Sequence, residues 1–396
     1  MVQLEVSLAH TGSASASFQR VFDRLHQERG CSVQATFQGW GVVWRELVNT
    51  AIYRRGADLS ETGSTWIASL VAMNALRPFA GHEIDQLGGP LAFLPSAWQN
   101  VSLVDDPRVW AIPFLADARV IYYWRDMLQQ AGLDPQTAFV SPEQCAETCA
   151  RLQRVVAAPW VDITDPNRHD ILYHAASWIW AKGGDFLSLD GKQVLAGEPA
   201  ARAGLHTYFG LHRFMPRTGQ PLDNIRAIDL FFDRQAAALM SGPWLFSSMK
   251  TRGLAPEHLA QVGIALPPGP SFVGGMYLIV WQHTRYPGEA IELIRRLTNP
   301  QFQAEFCPVA GLLPVTQEAW TADVFANQNY QVLYQAMQNG RSFLNIPLWG
   351  MVEDKLTPAF GQIWADLIAR PDQDIEAMLA KHLDATVHRL NATLAQ

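Results

Sequence analysis

IPFLADARVIYYWRDMLQQAGLD, residues Ile112–Asp134, is an apolar stretch that charged side chains interrupt. Pro113 cannot donate a backbone hydrogen bond, so it predicts the end or the edge of a strand. The run Ala118–Trp124 is rich in β-branched and aromatic residues and predicts a buried strand. Asp126 is a good N-cap, and it predicts a short helix over Met127–Ala131. The stretch therefore reads as strand, strand and helix.

Two charged residues, Asp117 and Arg119, lie between the apolar halves of this stretch. A charge in such a position must be paired, solvated or used in function. One interpretation is an ion pair between the two residues. The other is that the chain crosses here from one lobe to another, with Asp117 facing the gap between them.

Length and composition bound the class of protein. A chain of 396 residues is too long for one hydrophobic core, so two domains are expected. The formal net charge of −7, with no basic run longer than a pair, argues against a nucleic-acid partner. The 14 tryptophans predict more aromatic surface than a typical soluble domain exposes.

Targeting signals and cysteines add further expectations. No stretch approaches the ~20 apolar residues of a membrane span, and strand-like residues follow Met1 directly, so no signal peptide is predicted. This pattern fits a cytoplasmic protein or an exported chain whose leader has been removed. The four cysteines, at 31, 145, 149 and 307, are predicted to be free thiols. Their spacing matches no zinc site, so no metal or cofactor is predicted.

The first 74 residues alternate between short strands and helices. Ser17 is expected to cap the first helix, and Phe18, Val21, Phe22 and Leu25 fall on one face of that helix. The strands Leu4–Ala9, Val33–Phe37 and Ala57–Glu61 predict a parallel sheet that is covered on both faces. Ligands collect at the carboxyl ends of such strands, although each loop there can equally serve as a helix cap. The candidate ligand-binding residues in these three loops are Thr11, Ser13, Gln38, Trp40, Ser64 and Trp66.

A second α/β region is predicted to extend to about residue 274. It contains an aromatic helix over Tyr173–Ala181 and a hairpin turn at 190–191. A further helix is predicted over Phe231–Met240, running into the sequence Ser-Gly-Pro-Trp that ends at Trp244. The strand Met276–Trp281 is interpreted as the return crossing to the first lobe. An amphipathic helix is predicted over Pro287–Leu297.

Several segments in a particular order carry a resemblance to a known family. They are GADLSETGSTWIASLVAMNALRPF (Gly56–Phe79), the segment Trp110–Asp134, WAKGGDFLSLDGK (Trp180–Lys192), FFDRQAAALMSGPW (Phe231–Trp244), PPGPSFVGGMYLIVW (Pro267–Trp281), LLPV (Leu312–Val315) and RSFLNIPLW (Arg341–Trp349). Each is weak alone, but their order and spacing are specific. Together they resemble the extracellular solute-binding proteins of ABC sugar importers, similar to maltodextrin-binding proteins.

This resemblance implies a periplasmic-binding-protein-like α/β fold, with two lobes joined by crossing hinge strands and a ligand cleft between them. Residues 1–115 and 278–320 are predicted to form lobe 1, and residues 116–277 and 321–396 to form lobe 2. The resemblance also implies a monomer that closes on a carbohydrate and delivers it to the transmembrane subunits of an ABC permease. It implies a periplasmic or extracellular, membrane-associated protein, with its signal peptide or lipoprotein leader absent from this sequence.

The resemblance also suggests roles for individual residues. The family commonly has a sugar-facing aromatic after Gly-Pro, which matches Trp244, and a hydroxyl acceptor in the crossing strand, which matches Asp117. The family's stacking aromatic falls near Tyr173, with Trp178 and Trp180 beside it, and one of the three is expected to face the cleft. The charged residues familiar after the third strand are absent here. The remaining candidates are Arg119, Gly275, Met276, Arg341 and Trp349, and the glycine can either admit a ligand or only ease the crossing.

The residue types agree with a neutral sugar. Aromatic rings cover the apolar face of a pyranose, and polar side chains bind its hydroxyls. A strongly anionic ligand would require a cluster of cationic side chains, and only Arg119 and Arg341 are candidates. A sugar phosphate or polyol phosphate is therefore the alternative ligand.

An enzyme is the second alternative. A glycosidase needs two carboxylates ~5–9 Å apart, and Asp117 has no second acid in the loops assigned to the cleft. The sequence contains no nucleophile elbow, phosphate-binding loop or metal-ligand spacing, so no catalytic residue is predicted. A binding protein that serves a sensor instead of a permease is a further alternative.

The expected mechanism is a shift between open and closed states when ligand contacts both lobes.

Overall fold

The computed structural model describes residues 2–9 and 13–395, with only the backbone described for residues 13, 14 and 250. The chain divides into two compact units, each built from separate stretches. Unit 1 comprises Met1–Asp117, Val273–Asn327 and Ser342–Gly350. Unit 2 comprises Ala118–Phe272, Gln328–Arg341 and Met351–Gln396. Both units combine a sheet with helices, which confirms the predicted α/β fold of two parts.

The strands of the described chain follow one another in this order: β1 (Val2–Leu8), β2 (Cys31–Phe37), β3 (Leu59–Gly63), β4 (Ile112–Ala118), β5 (Val120–Trp124), β6 (Ala158–Val161), β7 (Ala236–Ser241), β8 (Val262–Ala265), β9 (Val273–Val280) and β10 (Leu313–Pro314).

The α-helices are α1 (Ser13–Arg29), α2 (Trp40–Tyr53), α3 (Ile67–Ala72), α4 (Gly81–Gln86), α5 (Pro95–Trp98), α6 (Arg125–Gln130), α7 (Pro142–Leu152), α8 (Asp170–Ala181), α9 (Pro199–Phe209), α10 (Asn224–Phe232), α11 (Trp244–Thr251), α12 (Pro256–Ala260), α13 (Pro287–Leu297), α14 (Pro300–Ala310), α15 (Gln328–Asn339), α16 (Trp349–Ala369), α17 (Ile375–Leu379) and α18 (Ala385–Leu394). A short 3₁₀ turn, Ser64–Trp66, joins β3 to α3. No helix in the described part of the chain has the length and apolar character needed to cross a bilayer.

Unit 1 contains a six-stranded sheet in the order β10-β4-β9-β3-β1-β2. Strands β1, β2 and β3 are parallel, which confirms the predicted arrangement of the first 74 residues. Strand β9 pairs antiparallel with β3, and β10 pairs antiparallel with β4. Because β1, β2 and β3 are parallel, the residues that follow Leu8, Phe37 and Gly63 lie at one edge of the sheet.

Helix α1 packs on this sheet through Phe18, Phe22 and Leu25, which are all buried. Their spacing on one helix face is the pattern from which the helix was predicted. The predicted start was wrong, because the helix begins at Ser13 and not after Ser17. Small polar residues, which often precede helices as caps, here form the first turn itself.

Unit 2 contains a four-stranded sheet in the order β6-β7-β5-β8. The predicted helix over Phe231–Met240 is wrong from residue 233 onward. Helix α10 ends at Phe232, Arg234 turns the chain with a positive φ of 59°, and Ala236 begins strand β7. Alanine and leucine favour helix in isolation, but β7 lies buried between two other strands. Pairing within the sheet therefore overrides the local preference.

The stretch Ile112–Asp134 forms β4, β5 and α6. Pro113 is the second residue of β4, which agrees with the predicted strand end. The alternative, an edge strand, does not hold, because β4 lies between β10 and β9. The two strands are separated at Arg119, whose backbone N–H donates to the carbonyl oxygen of Phe272 at 2.9 Å. Helix α6 begins at Arg125, slightly earlier than predicted.

The unit boundaries differ from the predicted lobe boundaries mainly in the carboxy-terminal part. Residues 321–327 and 342–350 were predicted in lobe 2, but they belong to unit 1. The side-chain amide of Asn345 explains the second difference, because it donates to the carbonyl oxygens of Asn100 and Ser102, both at 3.1 Å.

All four cysteines are free thiols, as predicted, and all are buried. Burial raises the pKa of each thiol.

Candidate functional site

The carboxyl edge of the unit 1 sheet presents an aromatic stack. Trp40 is the first residue of α2, and Trp66 closes the 3₁₀ turn after β3. Their rings are stacked, with centroids 4.9 Å apart and an interplanar angle of 16°. Trp44, one turn further along α2, packs against Trp66 in a tilted arrangement, with the ring centroids 5.5 Å apart. Trp40 remains 44% exposed, so the stack offers an accessible aromatic face.

Neutral hydrogen-bonding groups lie in the same loops. Gln38 follows β2, and its backbone N–H donates to the carbonyl oxygen of Leu8 at 2.9 Å. Its side-chain Oε1 is buried and has no hydrogen-bond partner among the described residues. Ser64 is buried at the start of the 3₁₀ turn. A buried acceptor without a partner is costly, so the Gln38 oxygen is a position where a donor from a bound solute would be favourable.

Strand β9 carries two further candidates, with different outcomes. Met276 pairs with Gly63 in the β3–β9 register, so it lies beside the turn that carries Trp66. Gly275 has a φ of 146°, and a Cβ there would lie 2.2 Å from the carbonyl oxygen of Leu115. The close approach of the strand backbone therefore explains this glycine. The two roles expected for Gly275, admitting a ligand and easing the crossing, stay predictions.

The other described unit 1 candidates lie at the start of α1, near the end of β4 and at the start of α16. Thr11 lies outside the described residues, and Ser13 opens α1. Asp117 is half-buried near the end of β4. The pKa of the Tyr277 phenol is raised mainly by burial, and the negative charge of Asp117 raises it further. Trp349 was predicted to bind ligand, but its ring is only 2% exposed and packs on Phe343, with centroids 4.5 Å apart. Trp349 is therefore corrected to a packing residue.

In unit 2, three of the candidates come together around one guanidinium group. Arg119 is only 3% exposed, and its Cζ lies 4.4 Å from the centroid of the Trp244 ring and 5.4 Å from that of Tyr173. Its Nη2 donates to the Asp170 carboxylate at 3.0 Å. A desolvated cation over aromatic faces with a carboxylate partner is a stable arrangement. Asp170 is thus a carboxylate partner of Arg119, and the ion pair of Arg119 with Asp117 stays a prediction.

The Trp244 ring folds back over its own motif. A Cβ at Gly242 would lie 2.2 Å from the ring, so only glycine permits this packing. The indole Nε1 of Trp244 is buried and has no hydrogen-bond partner among the described residues. The remainder of the side chain is half-exposed. Trp244 thus offers both an aromatic face and a donor.

Tyr173 supports this cluster from the other side. Its ring stacks on Phe272, with centroids 4.4 Å apart and an interplanar angle of 3°. Its hydroxyl donates to Oε1 of Glu353 at 2.8 Å, and that carboxyl group is buried. Burial raises the pKa of the Tyr173 phenol well above its usual value, and nearby carboxylates add to the effect. The phenol therefore stays a donor across the physiological range.

Trp178 does not belong to the cluster. Its ring is 0% exposed and packs against Trp160 and Tyr208 in the core of unit 2. On helix α8, Trp178 lies five residues after Tyr173 and therefore on another face. The prediction of Trp178 as a ligand-binding residue is corrected to a core role.

Arg341 forms a second, separate cation cluster in unit 2. Its Nη2 donates to Oδ2 of Asp185 at 2.6 Å, and its Cζ lies 4.8 Å from the Trp180 ring centroid. Its backbone N–H donates to the carbonyl oxygen of Ser271, at 2.9 Å. The guanidinium group is thus anchored by a carboxylate and an aromatic face, in the same manner as Arg119.

Sequence reasoning did not identify the residues that support the unit 2 cluster. Asp170 in the first turn of α8 could have been found, because an acid directly before an aromatic helix is a visible signal. Phe272 and Glu353 are distant in sequence and became neighbours only through folding. Among the described residues, no group of three or more His, Cys, Asp or Glu could hold a metal ion.

Comparison with protein families provides the decisive observation. Residues 21–349 match the model of the bacterial extracellular solute-binding protein family, which is most of the chain. The chain belongs to this family. This solute-binding protein is 23% identical over 387 residues to a Brucella abortus relative named only as a binding protein, covering 94% of this chain and 90% of the relative. It is also 23% identical over 267 residues to a Deinococcus radiodurans protein assigned as an ABC transporter-binding protein, covering 62% of this chain and 61% of that protein.

Solved structures of similar fold agree with this assignment. The sugar-binding protein MalE of Xanthomonas citri superposes with a TM-score of 0.84 at 19% identity, covering 100% of this chain and 98% of that one. A Thermotoga lettingae solute-binding protein bound to α-D-tagatose gives 0.80 at 16% identity, covering 100% of both chains. At these identities the likeness shows the fold alone. The family and these neighbours are binding proteins of the ABC type, not enzymes.

Proposed function

We propose that this protein binds a neutral mono- or oligosaccharide and delivers it to an ABC permease. The observation that carries the proposal is that each unit has an aromatic ring and, close to it in sequence, a neutral hydrogen-bonding atom without a partner among the residues that the structure describes. In unit 1 these are the Trp40 stack and Gln38 Oε1, and in unit 2 they are the ring and the Nε1 of Trp244. An aromatic face suits the C–H face of a pyranose, and the polar atoms suit its hydroxyls.

The electrostatics favour a neutral solute over a phosphorylated one. The alternative ligand, a sugar phosphate or polyol phosphate, depended on Arg119 and Arg341 being free to bind an anion. Each guanidinium group instead has a carboxylate partner, Asp170 at 3.0 Å and Asp185 at 2.6 Å. A phosphate would have to displace or approach these carboxylates, which is unfavourable.

Several elements of the proposal rest on family membership. Members of the family act outside the cytoplasm, so we place this protein in the periplasm or at the cell exterior. Delivery to permease subunits and closure by hinge motion are expected of such proteins and stay predictions here. Deleting a permease gene adjacent to this gene should abolish uptake of the identified solute. If uptake persists and a sensor response is lost instead, the partner is a sensor.

The first experiment is a thermal-shift screen of the purified protein against mono-, di- and trisaccharides and their phosphates. A ligand at about 100 times its Kd adds about 2.7 kcal/mol to the free energy of unfolding, so a true ligand raises Tm clearly. A shift with neutral sugars and none with phosphates supports the proposal. A shift only with phosphates establishes the alternative, and release of product from any oligosaccharide establishes an enzyme.

Calorimetry of variants then tests the site. Trp244→Ala is expected to weaken binding of the identified sugar about ten-fold or more, about 1.4 kcal/mol, without unfolding the protein. Gln38→Leu, which removes the unpartnered acceptor, should weaken binding to a smaller extent. Tyr53→Ala is the matched control, because Tyr53 is an exposed aromatic residue at the far end of α2. Unchanged affinity in Trp244→Ala would remove this residue from the site.

A further inference from the structure

The chain passes between its two units at several points, and residues that support the unit 2 cluster lie beside three of them. Unit 2 begins at Ala118, ends its first stretch at Phe272 and resumes for the last time at Met351. Arg119 is therefore the second residue of the first stretch, Phe272 is its last residue, and Glu353 is the third residue of the final stretch. Contacts among these residues hold the segments by which the chain enters and leaves unit 2.

One side chain, that of Tyr173 on α8, contacts all three of these residues. Its ring stacks on Phe272, with centroids 4.4 Å apart, and its centroid lies 5.4 Å from Cζ of Arg119. Its hydroxyl donates to Oε1 of Glu353 at 2.8 Å. The backbone N–H of Arg119 also donates to the carbonyl oxygen of Phe272 at 2.9 Å. Tyr173 thus joins three segments that are far apart in the sequence.

The Glu353 carboxylate is well placed to fix this tyrosine. Glu353 is only 1% exposed, so solvent does not compete for its oxygens. Its second oxygen, Oε2, lies 3.4 Å from Nδ1 of His169, the residue directly before α8. The carboxylate of α16 therefore contacts the start of α8 at two points. A hydrogen bond to a charged acceptor is strong in such surroundings, so it restricts the position of the tyrosine ring.

The start of α8 also holds the guanidinium group that lies against Trp244. Asp170 and Tyr173 are three residues apart on α8, so they lie on the same helix face. Nη2 of Arg119 donates to the Asp170 carboxylate at 3.0 Å, and Cζ of Arg119 lies 4.4 Å from the centroid of the Trp244 ring. A displacement of the start of α8 would therefore move the cation against which the Trp244 ring packs.

We propose that Glu353 is a positioning residue of unit 2. Through the Tyr173 hydroxyl it fixes the backbone at Arg119 and Phe272, and it holds the Arg119 guanidinium group against the Trp244 ring. Solute affinity then depends on Glu353 through Tyr173, and contact between Glu353 and the solute is not required. The effect on solute affinity rests on the proposed function, whereas the effect on the backbone does not.

Hydrogen exchange of the full-length protein without solute, followed by NMR, tests the effect on the backbone. Glu353→Leu should accelerate exchange of the Arg119 amide at least about ten-fold, whereas the amides of β7, an inner strand of the unit 2 sheet, should change less than about two-fold. Glu353→Gln should restore exchange to within about three-fold of the unmodified protein, because its amide oxygen still accepts from the tyrosine hydroxyl. Equal acceleration at Arg119 and in β7 would show general destabilisation of unit 2 and overturn the proposal.

A double variant tests the route through the tyrosine. Tyr173→Phe removes the same hydrogen bond from its other end and keeps the stacked ring. Tyr173→Phe, Glu353→Leu and the double variant should show the same acceleration at Arg119, because one bond can be lost only once. Additive effects would mean that Glu353 acts through another contact and would overturn this route. If Glu353→Leu does not fold, Tyr173→Phe alone measures the loss of the bond.

The matched control for the tyrosine is Tyr208→Phe. Tyr208 is fully buried in the core of unit 2, where its ring packs against Trp178. Removing its hydroxyl is the same chemical change outside the cluster, so it should leave exchange of the Arg119 amide within about two-fold. An acceleration equal to that of Tyr173→Phe would show that exchange at Arg119 reports any loss of a buried phenol and would overturn the proposal.

Calorimetry on the same variants, with the sugar identified in the thermal-shift screen, tests the effect on solute binding. Glu353→Leu and Tyr173→Phe should weaken binding at least about five-fold, and Glu353→Gln less than about two-fold. Glu292→Leu removes a buried carboxylate of unit 1 and should leave affinity within about two-fold. Unchanged affinity in Glu353→Leu would overturn the role in solute binding. If no sugar binds, the proposed function fails, while exchange of the Arg119 amide still decides whether Glu353 fixes the backbone.

Discussion

The aromatic groups of the two units differ in what their rings contact. In unit 1, Trp40 and Trp66 stack on each other, and the outer ring remains largely accessible. In unit 2, Trp244 and Tyr173 surround the guanidinium group of Arg119, which is nearly inaccessible. The first group is an apolar platform, whereas the second is a desolvated cation site with its own counter-ion.

This difference teaches that aromatic richness alone does not define a role. A stacked pair at the end of a strand can lose one ring with little effect on the core, since solvent already reaches it. The rings around a buried cation contribute to its stabilisation, because each adds a cation–π contact to the ion pair with Asp170. Effects on stability should therefore separate the two regions, and the four predictions below order those effects.

The largest effect is expected for Trp178→Ala, which removes a fully buried ring from the core of unit 2. It should lower the free energy of unfolding by about 3–5 kcal/mol. Trp40→Ala, the same chemical change at a 44% exposed site, should cost less than about 1 kcal/mol. Urea denaturation followed by circular dichroism measures both. Similar costs for the two variants would contradict the assignment of Trp178 to the core.

Arg119→Met should have the next largest effect. It retains an apolar chain over the Trp244 ring but leaves the Asp170 carboxylate without its cation. We expect a loss of about 3 kcal/mol in the free energy of unfolding. Arg45→Met, at an arginine whose side chain is 70% exposed, should change it by less than about 0.5 kcal/mol. If Arg119→Met leaves the free energy of unfolding unchanged, the cation does not contribute to the stability of unit 2.

Tyr173→Phe tests the hydrogen bond to the buried Glu353 carboxylate. The ring and its stacking on Phe272 are kept, so the loss should be about 1–3 kcal/mol, the cost of leaving a buried acceptor less satisfied. Tyr53→Phe at an exposed tyrosine is the control and should be neutral. Thermal unfolding of both variants in one buffer decides the matter, and an unchanged Tm for Tyr173→Phe would show that the bond is dispensable.

The smallest effect on stability, but a clear effect on binding, is expected for Trp40→Ala. Because the ring is accessible, its removal should weaken binding of the identified sugar about ten-fold. Isothermal titration with the sugar from the thermal-shift screen measures this change. If Trp40→Ala retains its affinity for the sugar while Trp244→Ala loses it, the unit 1 stack is not a binding surface. Only the unit 2 cluster would then be a candidate site.

Much of the fold could be predicted from local pattern. The amphipathic spacing of Phe18, Phe22 and Leu25 predicted α1, and the β-branched and aromatic run 118–124 predicted β5. Helix α13 has the bounds that were predicted, because Pro287 opens it and a clear apolar face runs to Leu297. Strand β7 could not be predicted, since its alanines favour helix and only the neighbouring strands make it a strand.

The candidate site was predicted less completely. Trp40, Trp66 and Trp244 come from sequence signals, the first two from strand-end loops and the third from a family motif. Arg119 was noticed as a charge in an apolar strand, but its carboxylate partner Asp170 was not predicted. The partner, Asp170, is 51 residues away, and no local rule connects residues at that distance.

By itself, the sequence determined that this protein has two α/β parts, with aromatic and polar candidates at strand ends, because periodicity and strand-end position depend on neighbours along the chain. Only the tertiary structure decided which aromatics are accessible, which carboxylate neutralises Arg119, and that Gly275 serves a close approach of strands. Those properties depend on residues that meet in space, where burial and charge pairing are set by packing.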